Sequence, residues 1–265
     1  MTAMPKPAPT PAPCELIEHL PFTTDAGIAS RARIGLIVLA TDFTIEHEFR
    51  AVLAQLPGVA LYQSRIMNSQ QITPETLGAM KAGIEGAAAV ILPGNTLDVV
   101  AFGCTSASMV LGEQTVFGRI HAARPDVKAT TPVTAAFAAF EAFGAKRIGV
   151  LTPYRADVNA IVRGYIEKKG YEVPVFGSFS EPDDGIVAAM DDASIEAGID
   201  AIVRRAAVDM VFVSCTSVRL LEAAARIEAR LGVPVTSSNH AMAWHCLRLA
   251  GVKDRLPQFG KLYER

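Results

Sequence analysis

The chain has 265 residues, half of them hydrophobic, with a formal charge of −2 and a pI near 6.2. That length supplies one large core or two smaller ones, and the near-neutral balance offers no basic field for nucleic acid. No apolar run approaches the ~18 residues needed to cross a bilayer, so the expected partner is a small molecule, with no nucleic acid and no membrane.

Residues 1–13 read MTAMPKPAPTPAP. Alternating Pro and Ala with one Lys cannot form the apolar centre of a secretory signal, so the reading is an extended, poorly ordered arm, with residues 1–30 as arm and lead-in, and a cytoplasmic protein. From there, short β-branched runs predict strands at 33–40, 59–66, 97–103 and 127–130, with helices over 45–56, 74–90 and 106–120. The same order and spacing then return: strands at 147–153, 171–177, 208–214 and 233–237, helices over 156–169, 193–206 and 218–231. Pro74 at a helix start, and Gly170 and Gly232 just past helix ends, are the punctuation that real boundaries carry. Alternating strands and helices specify α/β units with parallel sheets.

The repetition extends to the ends of the halves, where TTPVTAAFAAFEAFGAKR parallels TSSNHAMAWHCLRLAGVKD. The expected architecture is therefore two duplicated Rossmann-like (flavodoxin-like) parallel-sheet halves, 31–133 and 134–237. The segment 238–265 packs back on the first half, a pseudo-twofold relates the halves, and the active site lies between them.

Within the repeat, LDVVAFGCTS ends at Ser106 and VDMVFVSCTS at Ser217. Each reads as a buried strand running into Cys-Thr-Ser and then a helix, which places Cys104 and Cys215 at the carboxyl ends of their sheets, where α/β folds bind ligands. A cysteine at a helix start feels the positive end of the helix dipole, which favours the thiolate. Thr105, Ser106, Thr216 and Ser217 supply hydroxyls and amides to hold a carboxylate. Read singly, such a turn is equally an ordinary core cysteine with a Ser or Thr cap; two copies at equivalent positions favour a reacting pair, one thiolate as base or nucleophile and one thiol as acid. The other cysteines are incidental: Cys14 borders the arm, and Cys246 sits in an apolar helix where Cys serves as a small hydrophobe. No His/Cys/Asp grouping has metal spacing, so no metal or cofactor is expected.

The motifs GCTSAS at 103–108, TPYRADVN at 152–159, SCTSV at 214–218 and RLGVPVTSS at 230–238 together resemble the aspartate/glutamate racemase superfamily, in its maleate isomerase and arylmalonate decarboxylase branch. The resemblance implies two Rossmann-like halves, catalysis without a cofactor, Cys104 as nucleophile or base and Cys215 as proton donor. It also implies Tyr154 as a hydrogen-bond donor to a substrate carboxylate, with Thr105, Ser106 and Thr216 around it. In the decarboxylases a glycine stands at the position of Cys104, so two thiols rank isomerase or racemase chemistry above decarboxylation. The Cys-Thr-His turn of glutamate racemases is absent.

One departure concerns the loop LATDFTIEHEFR, where maleate isomerases have an asparagine and this chain has Asp42. An ionised Asp accepts hydrogen bonds but does not donate them, which suits an ammonium or amide N–H of an amino-acid-like substrate; the loop is closest to that of the ectoine-utilisation proteins of this branch. Asp42 is equally well read as a helix cap. His240, at the start of the last helix, is a possible further site residue, although a lone His is more often structural. A non-catalytic metabolite-binding protein is the alternative from another class. Soluble enzymes of this kind commonly assemble as symmetric homo-oligomers, and that is the expected state.

Overall fold

The computed structural model describes residues 14–69 and 73–265; the Pro/Ala arm expected over residues 1–13 lies outside the described residues. Residues 14–30 carry no helix or strand and are almost wholly exposed. The first half runs β1 (Ala32–Leu39), α1 (Ile45–Leu53), β2 (Val59–Ile66), α2 (Pro74–Ala79), α3 (Lys81–Ala89), β3 (Val99–Phe102), α4 (Thr105–Leu111), α5 (Glu113–Ala123), β4 (Lys128–Thr130) and α6 (Pro132–Phe143). The second half runs β5 (Ile148–Thr152), α7 (Ala156–Lys168), β6 (Phe176–Ser178), α8 (Asp184–Ala189), α9 (Asp192–Val203), β7 (Met210–Val213), α10 (Ala224–Leu231), β8 (Val235–Ser237) and α11 (Ser238–Leu249).

Both sheets are wholly parallel and share one order, β2-β1-β3-β4 and β6-β5-β7-β8. In each, the chain reverses its direction of build between the first and third strands, and the crevice there is the natural ligand site of such a sheet. β1, β3, β5 and β7 are almost completely buried, as expected of parallel strands covered on both faces. α11 packs on α6 and also touches α1, β3 and β4 of the first half.

Several boundaries differ from the sequence reading, each for a local reason. The helix expected at 106–120 is broken at Gly112, whose φ of +80° suits glycine, and the chain restarts as α5. The helix expected at 74–90 pauses at Met80. The strand expected at 171–177 shrinks to β6 plus one bridge between Arg147 and Glu172, because Pro174 has no N–H to give a ladder. The helix expected at 218–231 starts only at Ala224, since the amides of Leu220 and Leu221 donate instead to Glu48 Oε1, both at 2.8 Å. α8 was not anticipated; Asp183 caps it by accepting from the amides of Gly185 and Ile186.

Candidate active site

The two cysteines occupy matching places. Gly103 donates its amide to Ile37 O at 2.8 Å and Ser214 donates to Leu151 O at 2.8 Å, so each sulfur leaves the sheet one residue beyond the last tie to the neighbouring strand. A Cβ on Gly103 would lie 2.7 Å from Ile45 Cδ1 and 3.0 Å from Ile37 O, so glycine lets the strand pass α1 closely. Beyond the thiols the symmetry ends. α4 begins directly at Thr105, whereas the turn after Cys215 is irregular for several residues.

That irregular turn is held from outside. Ser238 Oγ accepts the Cys215 amide at 3.1 Å and the Thr105 hydroxyl at 2.7 Å. Asn239 Nδ2 donates to Thr216 O at 2.7 Å, and the Thr44 hydroxyl donates to Ser217 O at 2.8 Å. The Ser217 amide points at Cys215 Sγ, 3.4 Å away.

Cys104, Thr105, Ser106, Tyr154, Cys215, Thr216, Ser217 and Asp42 line a single cavity, with Asp184, Asn68 and Met80 completing its wall. The structure thus brings together every residue that the sequence nominated except His240. Tyr154 is buried, and that burial, followed by Cys215 and Cys104, opposes ionisation of its hydroxyl. Its loop is fixed by the motif TPYRADVN: Asn159 Nδ2 and the Ser178 hydroxyl donate to Tyr154 O, while Thr152 donates to Asn159 Oδ1.

Asp42 serves as cap and as cavity wall at once. Oδ1 accepts the amides of Thr44 and Ile45, each at 2.8 Å. Oδ2 is buried with no hydrogen-bond partner among the described residues, the Thr216 hydroxyl approaching without closing a bond of ordinary geometry. Burial pushes the Asp42 carboxyl up, against the pull of those two amides. Asp184, the first residue of α8, accepts the Ser217 hydroxyl at 3.1 Å, and its carboxyl is raised by burial and by Asp42.

Two expectations are overturned. His240 is not at the cavity: it is fully buried, and its ring nitrogens are engaged by Thr236 Oγ1 at 2.9 Å and Phe259 O at 2.7 Å. The thiolate expected at each helix start is also not favoured: the Ala107 amide of α4 pulls Cys104 down and the Ser217 amide pulls Cys215 down, but no helix follows Cys215 until Ala224 and burial outweighs both amides. Instead both thiols are pushed up to about 12. Burial is the largest cause for each, with Asp184 and Asp42 adding like-charge repulsion. The sequence gives no sign of the second carboxyl-bearing position, Asp184, on the cavity wall. The Asp before GIVAAM signals a helix cap, but of the adjacent pair Asp183 and Asp184 the sequence does not show which caps and which turns inward.

Among the described residues no group of three or more His, Cys, Asp or Glu could hold a metal ion, and no helix is long and apolar enough to cross a membrane.

Comparison with known proteins gives a consistent result. The family model described as arylmalonate decarboxylase matches residues 34–263. A maleate isomerase of Pseudomonas putida is 33% identical over 242 residues, covering 87% of this chain and 96% of the relative. The arylmalonate decarboxylase of Bordetella bronchiseptica is 27% identical over 251 residues, covering 89% and 98%. The crystal structure of the maleate isomerase Iso from Pseudomonas putida matches with a TM-score of 0.80 at 26% identity, covering 88% of this chain and 98% of that one.

Proposed function

The chain belongs to the arylmalonate decarboxylase family, and from that premise we propose that it is a maleate isomerase-like enzyme in which Cys104 and Cys215 act as a pair on a small carboxylate. The observation that carries this reading is the shared cavity: Cys104, Cys215 and Tyr154 all line it. Isomerase chemistry agrees with the maleate isomerases among its relatives.

Two routes use the same sulfurs. In the first, Cys104 as thiolate bonds through Sγ to one carbon of a substrate double bond, and the alkene electron pair takes the proton of the Cys215 thiol at the other carbon. The central bond is then single and rotates, after which the proton returns to Cys215, the C–S bond breaks and the double bond reforms in the other geometry. In the second, one thiolate removes an α proton and the opposite thiol returns one to the other face. Neither route requires a group beyond the substrate and the side chains. Tyr154, Thr105, Ser106, Thr216 and Ser217 orient the carboxylate by hydroxyls and amides.

Cys104→Ala and Cys215→Ala should each abolish turnover on a panel of cis-unsaturated and chiral small acids, read by NMR. A variant that keeps the wild-type rate removes that thiol from the mechanism. Decarboxylation through Cys215 alone is the second reading, favoured by the Bordetella bronchiseptica relative; release of carbon dioxide by the Cys104→Ala variant distinguishes it. A role in ectoine utilisation is proposed on the likeness of the first-strand loop carrying Asp42, together with a cytoplasmic setting and a homo-oligomeric state; light scattering in solution tests the last.

A further inference from the structure

We infer that the substrate carries a cationic nitrogen, an ammonium group, which seats between Asp42 and Asp184 while its carboxylate faces the hydroxyls of the two cysteine turns. The inference rests on the isomerase reading of this same cavity and narrows its substrate class to zwitterions, away from dicarboxylates.

Charge on the cavity wall is one-sided. Asp42 and Asp184 both line it, close enough that Asp42 raises the Asp184 carboxyl, and no Arg or Lys lines it among the described residues. The stretch 70–72, outside the described residues, reads Gln-Gln-Ile and adds no charge. Arg65 tempers Asp42 from behind the loop, but its guanidinium is occupied by the carbonyls of Leu39, Ala40 and Asp42 and by Glu46 at 3.2 Å. A dicarboxylate entering this cavity would bring two more negative charges to a wall with none to balance them.

The decisive atom is Asp42 Oδ2. Asp42 is 6% exposed and lines the cavity; its Oδ1 is satisfied by two amides, and Oδ2 is buried without a hydrogen-bond partner among the described residues. A buried carboxylate oxygen left so is costly unless a donor arrives, and an ammonium brings three N–H donors and a compensating charge. Asp184 is oriented by the Ser217 hydroxyl, which ties the proposed ammonium seat to the Cys215 turn.

The same seat offers a way to rouse the thiols. Each aspartate opposes ionisation of both Cys104 and Cys215. A cation placed between the aspartates cancels that repulsion, so the correct substrate makes its own nucleophile more available while an anion does not.

Calorimetric titration of the full chain with 2-aminobutyrate, 2-hydroxybutyrate and maleate tests the inference, using wild type, Asp42→Asn and Asp184→Asn. Asn keeps at 42 an oxygen for the Thr44 and Ile45 amides and at 184 an oxygen for the Ser217 hydroxyl. The wild type should bind 2-aminobutyrate at least about ten-fold more tightly than the other two, and each substitution should erase most of that preference. Maleate binding as tightly as 2-aminobutyrate, failure to bind 2-aminobutyrate at millimolar concentration, or a preference that survives both substitutions would overturn it. Cysteine-dependent turnover of maleate by the wild type, with maleate bound as tightly, would remove the ammonium seat yet leave the isomerase reading standing.

Discussion

The Thr105 hydroxyl donates to Ser238 Oγ at 2.7 Å, joining residues 133 positions apart in the sequence, and the same oxygen receives the Cys215 amide. One hydroxyl therefore sets the distance between the two cysteine turns. Ser238→Ala leaves a buried hydroxyl and a buried amide without an acceptor, which costs about 1–3 kcal/mol. Differential scanning calorimetry should show a Tm lower by roughly 3–8 °C, with turnover reduced beyond what the folded fraction explains.

Thiol reactivity offers a direct check on the cavity's electrostatics. With Cys104 and Cys215 pushed up to about 12, alkylation by iodoacetamide at pH 8 is slow and climbs with pH. Asp184→Asn removes a charge that raises both thiols, so their labelling at pH 8 should accelerate roughly three- to ten-fold. Peptide mass spectrometry follows each cysteine separately, and exposed Cys14 serves as the internal reference. An unchanged rate would show that Asp184 exerts no field on the sulfurs.

Glu48 is a buried carboxyl from α1 that accepts two amides of the second half. Burial raises its pKa above the ordinary 4.5, so the stability linked to its proton is present below that value and is lost as pH rises through the folded pKa. Glu48→Gln keeps an acceptor without the charge. Its Tm relative to wild type should therefore improve steadily as pH increases from 4.5. Glu48→Ala orphans both amides and should cost about 3 kcal/mol; a Gln variant that tracks the wild type at every pH would show that Glu48 stays ionised.

His240 is lowered to about 4 by burial. Its folded pKa lies below the ordinary 6.5, so its contribution to stability is in place above that value and is lost as pH falls toward about 4. His245 is lowered to about 4 as well, also by burial. Melting curves across that window should show a fall in Tm that is shallower in His240→Gln. At neutral pH the substitution should alter stability and leave the ratio of KM values between ligands as it was, because the ring faces Thr236 and Phe259 O and not the cavity.

Much of the fold was legible in the sequence because the duplicated spacing repeats one strand order twice, and the strand ends place both cysteines without reference to anything distant. What escaped is non-local. Nothing near residues 218–223 reveals that Glu48, some 172 positions earlier, captures their amides. The double role of Asp42 was legible only as two competing readings, since one oxygen caps a helix while the residue also lines the cavity. Asp184 was hidden by its neighbour, and His240 by partners in β8 and the C-terminal turn that only folding supplies.

Identical tripeptides sit on unlike backbones: the first opens a short helix, and the second is suspended from Ser238, Asn239 and Thr44. A planar reaction intermediate between two interchangeable sulfurs would be attacked equally from above and below. Here the repeat is broken at the place where bonds change, so the two sides of a flat molecule lying between the sulfurs meet different surroundings.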